Sequence, residues 1–397
     1  MFKKSLAAII AVLTVFVFVG QVNASRDGVD RVNRAEVRIR VIAHTQEEVA
    51  EAVSQGCTVV TTAKILSALQ CPEEVAKSLS LSEDVRVFAL EDESHMLGRG
   101  IGIQSDTANK QIGADKVQVA GNTGSGRKIM VLDTGYNYNH PELSSSYLGG
   151  KDFVNGDDDP LDDQGHGSHV AGIITADGID SKAKGVAPDA GIIVGKVLAQ
   201  DGSGYFSDVV AGIYWAVDGP DGLFGTEDDF NADAINLSLG TGAPYLYRGF
   251  CDGLLPDLTD AIKYAVQNDV MVAVAAGNSG SAGVSLPGCI SYSTTVGAVD
   301  SRDRVASFSG RGKAVDISAP GVSMYSTVLG TGYASWSGTS MATPVIAGVA
   351  ALVKSVQPTY TQGQLENKLF STALDLGKRG KDTNFGWGRV DAFKAAQ

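Results

Sequence analysis

The chain has 397 residues, 44% hydrophobic and 19% charged. This composition supports a large apolar core and excludes wholesale disorder. A net charge of -13 excludes nucleic acid as the main partner, because phosphate binding requires a basic surface. Forty-eight glycines point to many tight turns.

In chain order, Lys3 and Lys4 precede an apolar run from Leu6 to Val19, and Val22-Asn23-Ala24 offers small residues for cleavage after Ala24. This is the pattern of a signal peptide. The run is shorter than the roughly 20 residues of a spanning helix, and no later run reads as a span, so no membrane partner is expected. Export, to the exterior or to a periplasm, permits disulfides. The four cysteines form no CxxC pair, which excludes a common zinc pattern. Cys57 with Cys71 and Cys251 with Cys289 are the natural pairs, although three connectivities are open.

Residues 35–95 read as a small α+β unit in the order βαββαβ, a ferredoxin-like arrangement. Val37 to Ile42 alternates as a strand, and Gln46 to Gln55 is helical, with Thr45 as cap and Glu48 in its support. Cys57 to Thr62 and Ile65 to Gln70 form a hairpin, Glu73 to Leu79 is helical, and Val85 to Leu90 is the last strand. From residue 100 onward, short continuous apolar runs alternate with helical patterns. The runs are 129–132, 192–194, 234–237 and 270–274; the helical patterns are 169–175, 207–217 and 257–268. Such runs suit parallel strands buried on both faces. The fold class is α/β, a doubly wound, mostly parallel sheet.

Three segments carry chemistry. Val131-Leu132-Asp133-Thr134-Gly135 is an apolar strand ending in a carboxylate, and functional groups gather at such strand ends. His166-Gly167-Ser168-His169-Val170-Ala171-Gly172 sets a histidine at a helix start. Gly338-Thr339-Ser340-Met341-Ala342-Thr343-Pro344 sets a serine at the entry to an apolar helix. An esterase elbow would read GxSxG, with the serine first of the three; here Ser340 comes last.

In that order these segments resemble the three signature motifs of the subtilase family. The resemblance extends over residues 104–396, through His140-Pro141-Glu142-Leu143, Gly185-Val186-Ala187-Pro188 and Phe385-Gly386-Trp387-Gly388. It implies a serine endopeptidase in which His166 takes the proton of Ser340 and Asp133 orients the imidazole. It implies that Asn278, in Ala275-Ala276-Gly277-Asn278, supplies the oxyanion donor together with the Ser340 backbone amide. It assigns polypeptide binding to Gly202, Ser203 and Gly204, to Ser238, Leu239 and Gly240, and to Ala275, Ala276 and Gly277, with Phe206 in a distal apolar pocket. His169 is expected to be structural. Ser168 stands where the family usually has threonine, and the hydroxyl is kept.

Clustered carboxylates suggest structural calcium, which takes six to eight oxygens. One candidate set is Asp157, Asp159 and Asp162, in a loop that also carries Asp158 and Asp163. A second resembles the family's tight site: Gln104, Glu142 and the loop Asp177 to Asp180, although Ile179 falls where a polar ligand is common. A third is Asp218 and Asp221 with Asp228 and Asp229. Residues 1–24 are then the signal peptide, and the resemblance implies an inhibitory propeptide over 25–100 and the peptidase domain over 101–397, acting as a monomer. Processing is expected near Leu97 to Ile101.

Overall fold

The computed structural model describes residues 37–90 and 105–397. The expected signal peptide, Gln104 and the Leu97 to Ile101 region lie outside the described residues. Near the N-terminus come β1 (Arg38–Ala43), α1 (Gln46–Ser54), β2 (Thr58–Thr62), β3 (Ser67–Pro72), α2 (Glu73–Ser78) and β4 (Ser82–Glu83), in the order β2-β3-β1-β4 across one sheet. The expected capping box closes α1. Thr45 accepts from the Glu48 amide at 3.1 Å, and Glu48 accepts from the Thr45 amide at 3.1 Å. The Cys57–Cys71 disulfide joins the turn after α1 to β3. Val41, Ala52, Leu69 and Ala76 fill the small core beside it.

The sequence places the last strand of this unit at Val85 to Leu90. The sheet's fourth strand is instead the short β4, which meets β1 only at Val41 and Ile42. The next strand, β5 (Arg86–Ala89), leaves the sheet altogether. Asp84 sits at the break, and both its oxygens accept from Ser207, one from the amide and one from the hydroxyl. Those bonds draw the chain away from its own sheet.

The large unit begins with α3 (Ser105–Ile112) and α4 (Ala114–Val119). Seven strands then build a wholly parallel sheet: β6 (Lys128–Asp133), β7 (Tyr147–Asp152), β8 (Gly191–Lys196), β10 (Ala234–Leu237), β13 (Met271–Ala275), β15 (Thr294–Val299) and β16 (Ile317–Pro320). Their order is β16-β15-β13-β10-β6-β8-β7. Between them run α5 (His166–Thr175), β9 (Ser203–Tyr205), α6 (Phe206–Asp218), β11 (Leu239–Gly240), β12 (Leu246–Tyr247), α7 (Pro256–Gln267) and β14 (Val284–Ser285). After them come β17 (Met324–Thr327), β18 (Tyr333–Trp336), α8 (Thr339–Val356), α9 (Gln362–Thr372) and α10 (Ala392–Ala395). Both faces of the sheet are buried, so the strands read as continuous apolar runs. Ile129 and Val131 share a core with residues of α5 and α8, while Met130 and Leu132 share one with residues of α6 and α7.

The sequence reading finds no later run fit to cross a bilayer, yet α8 has the length and apolar composition of one. It is the buried central helix of the core, and that burial accounts for its composition. The chain order reverses between β6 and β10, a topological switch point where open α/β sheets place their sites. Asp133 ends β6, Ser238 follows β10, and Asn278 lies three residues beyond β13.

Candidate active site

Asp133, His166 and Ser340 are all fully buried. His166 Nδ1 lies 2.7 Å from Asp133 Oδ1, which also accepts the Thr134 amide at 2.7 Å. His166 opens α5 and Ser340 is the second residue of α8, and these two helices pack together. The Ser340 hydroxyl donates to the Ser238 carbonyl at 2.8 Å, and the Ser238 hydroxyl donates to the Ser340 carbonyl at 2.9 Å. His169 is structural, as expected. Its ring stacks on Trp336 at 4.4 Å, and its Nε2 lies 3.1 Å from the Met324 and Ala334 carbonyls. Burial pushes its pKa down to about 3.

Asn278 is aimed by a residue the sequence reading passes over. Its Oδ1 accepts from the Thr339 amide at 3.0 Å and from the Thr339 hydroxyl at 2.9 Å. The Thr339 hydroxyl also accepts the Gly277 amide at 3.1 Å. With Oδ1 so fixed, Nδ2 faces the cleft and donates to the Leu90 carbonyl at 2.9 Å. Gly338 makes this approach possible, because a β-carbon there would lie 2.7 Å from the Leu90 oxygen. Thr339 could have been found as the hydroxyl that the serine motif itself carries beside the nucleophile.

Leu90 is delivered by β5, which lies antiparallel between β9 and β11. Phe88 pairs with Ser203 on one side and Gly240 on the other, Val87 pairs with Gly204, and Ala89 pairs with Leu239. The Ala89 amide donates to the Gly202 carbonyl at 2.8 Å. The two predicted cleft segments therefore do flank an extended strand. The third behaves differently: Ala276 hydrogen-bonds Val296 and Ser285, and Ala275 pairs with Val296 inside the main sheet. Gly277, at φ +93°, has no room for a side chain against the Ser285 hydroxyl. Phe206 is buried at the start of α6, in a pocket it shares with Ile42 and Leu66.

Of the candidate calcium ligands, Gln104 lies outside the described residues, while Glu142 and the acidic-loop aspartates are met by the protein's own donors. Glu142 is fully buried, and its carboxylate is surrounded by donors. It accepts from the amides of Gly178 at 2.6 Å, Ile179 at 3.0 Å and Asp180 at 2.6 Å, and from the Tyr333 hydroxyl at 2.9 Å. A cation needs oxygens turned inward; here the loop turns its N–H groups inward. In the acidic loop the carboxylates disperse. Asp162 accepts five hydrogen bonds, and Asp163 pairs with buried Lys196 at 2.6 Å. Asp159 accepts from Tyr138, and Asp157 accepts the Asp159 amide. In the third loop, Asp218 is bonded to Lys64 and Tyr264, while Asp228 and Asp229 accept turn amides. Among the described residues no group of three or more metal-ligating side chains converges.

Glu142→Ala should therefore destabilise the fold by on the order of 3 kcal/mol, since it strands several buried donors. Urea unfolding should show the same loss with and without excess chelator. A loss seen only when calcium is present would restore the metal site.

The comparisons agree with this geometry. The model of the subtilase family matches residues 124–388. The M-protease of Shouchella clausii (strain KSM-K16) is 36% identical over 337 residues, 85% of this chain and 80% of the relative. Subtilisin BL of Lederbergia lenta is 41% identical over 278 residues, 70% and 93% of the two chains. Subtilisin E of Bacillus subtilis (strain 168) is 39% identical over 294 residues, 72% and 70% of the two chains. The chain belongs to the subtilase family and is a subtilisin-like serine endopeptidase.

Proposed function

We propose that the protein is an exported zymogen that hydrolyses peptide bonds through Asp133, His166 and Ser340, and that its own N-terminal unit is its first substrate and then its inhibitor. One observation carries this reading: Asn278 donates to the Leu90 carbonyl at the end of a strand paired on both sides with the cleft. A carbonyl held by this donor is one whose developing oxyanion the same donor would stabilise, which supports the reading. The first cleavage accordingly falls between Leu90 and Glu91, upstream of the region expected from the sequence. Residues 1–24 are the signal peptide and 25–90 the propeptide.

In the reaction, the Ser340 hydroxyl exchanges the Ser238 carbonyl for the His166 imidazole and attacks the substrate carbonyl. His166 takes the proton, and Asp133, already bonded to Nδ1, stabilises the imidazolium. His166 then gives that proton to the leaving amine, and water hydrolyses the acyl-enzyme by the same path. Asn278 Nδ2 and the Ser340 amide hold the oxyanion. Labelling with a serine-directed phosphonate, mapped by mass spectrometry, tests the assignment: the adduct should sit on Ser340. A protein that hydrolyses peptides but carries no adduct there overturns it.

The contact between propeptide and enzyme contains a buried charge cluster. The Arg40 guanidinium lies 3.0 Å from Asp84 and 2.5 Å from Asp208, and over the Tyr205 ring. Thr61 and Ser207 add hydroxyl donors. Two carboxylates share one cation, so one buried negative charge is left in excess. Burial, opposed by Ser207 and Arg40, pushes Asp84 up to about 6; burial also raises Asp208. Once the propeptide separates, Asp84 is solvated and returns toward 3.8. Binding thus takes up a proton. This contribution is full below about pH 4 and is lost as pH rises through about 6. Cleaved propeptide should co-elute with the enzyme at pH 5 and separate at pH 8, with affinity differing on the order of tenfold. His44 with Asp257 and Lys64 with Asp218 also bridge the two parts. The contribution of Asp84 is isolated by Asp84→Asn, which should flatten the dependence.

A further inference from the structure

We propose that Asp162 is a positioning residue that sets the relative placement of Asp133 and His166, an inference that rests on the serine-peptidase reading above. Asp162 lies in the loop before α5 and is 5% exposed. Its Oδ1 accepts from the Thr134 hydroxyl at 2.9 Å, the Gln164 amide at 3.0 Å and the Gly165 amide at 2.8 Å. Its Oδ2 accepts from the Ser168 amide at 2.9 Å and the Ser168 hydroxyl at 2.6 Å. The Thr134 hydroxyl in turn accepts the Gly167 amide at 2.8 Å.

These bonds close a circuit. Thr134 follows Asp133 and donates its amide to the same Oδ1 that meets His166 Nδ1. Gly165, Gly167 and Ser168 flank His166 on both sides. One carboxylate therefore ties the end of β6 to the first turn of α5. The helix needs such a partner, because its cap, Gly165, has no side chain to satisfy the first amides. The two segments also touch closely: a β-carbon on Gly167 would lie 2.2 Å from the Gly135 oxygen. With so little slack, the Asp162 circuit fixes how far the imidazole stands from its acid.

An asparagine cannot replace this carboxylate. Whichever way the amide turns, its NH₂ faces an N–H donor, at Ser168 or at Gln164 and Gly165. A displacement near 1 Å can cost on the order of 10²-fold in rate. The binding cleft, formed by β9 and β11, is not part of the circuit.

The test uses the mature enzyme, with every rate divided by the concentration of phosphonate-titrated sites. Asp162→Asn should lower kcat at least tenfold and leave KM within about twofold. Thr134→Val, which cuts only the link from Asp162 to Gly167, should lower kcat in the same way and carries the test if Asp162→Asn does not fold. The double variant should lose no more than the worse single one. Asp158→Asn, in the same loop but outside the circuit, should be unchanged. The proposal is overturned if either variant loses only yield or melting temperature while its titrated sites turn over at the wild-type kcat. It is also overturned if chelation of the wild type reproduces the loss, since Asp162 would then act through a cation. A wild-type protein that neither titrates nor hydrolyses peptides would defeat the serine-peptidase reading itself, a distinct result.

Discussion

Ser340→Ala should yield an exported precursor that keeps residues 25–90 covalently attached, while the wild type loses roughly 7 kDa in that step. The Leu90 carbonyl is held by Asn278, and the strand before it is paired on both sides. The first substrate therefore reaches the nucleophile at an effective concentration no free peptide matches. Removing one hydroxyl removes the nucleophile and little else. The hydroxyl donates to the Ser238 carbonyl, and the reverse bond from the Ser238 hydroxyl to the Ser340 carbonyl survives the change. Folding, both disulfides and the propeptide contact should persist. N-terminal sequencing of both proteins, purified free of other proteases, decides the matter. An alanine variant that matures at the wild-type rate shows that another protease does the processing. A wild-type N-terminus other than Glu91 in the first product shows that Leu90 is not the residue cleaved.

Asn278→Ala should lower kcat by about 10²–10³, the range established for this donor in the subtilisins themselves, with little change in KM. The side chain meets the carbonyl oxygen and takes no part in the strand pairing that holds the substrate, so the loss falls on the transition state. Thr339 adds a second readout. It anchors Asn278 Oδ1 through both its amide and its hydroxyl. Thr339→Val removes only the hydroxyl and should cost less than Asn278→Ala, and combined with it should add little. A KM that rises tenfold with kcat intact would mean that Asn278 binds ground state and transition state equally.

Much of the fold was legible because its signals are local. The apolar runs 129–132 and 270–274 suited strands covered on both faces, the Thr45 and Glu48 box marked a helix start, and both cysteine pairs were the near ones in sequence. The last strand of the N-terminal unit was misplaced because alternation marks residues 85–90 as a strand without saying which sheet receives it. Asp84, bonding to Ser207 far along the chain, decides which sheet receives them. The acidic loops were less legible for a related reason: composition counts carboxylates but does not say whether donors or cations face them.

By itself, then, the sequence determined the α/β class and the family, and it pointed to Asp133, His166 and Ser340 as the proposed catalytic residues, since each of these is written in short apolar runs or contiguous motifs. The tertiary structure alone decided which carbonyl Asn278 holds, that Thr339 aims it, and that Glu142 and Asp162 are filled by the protein's own amides and hydroxyls. Those outcomes depend on hydrogen-bond donors brought together from distant segments, and a donor's direction is fixed only when the backbone that carries it has folded.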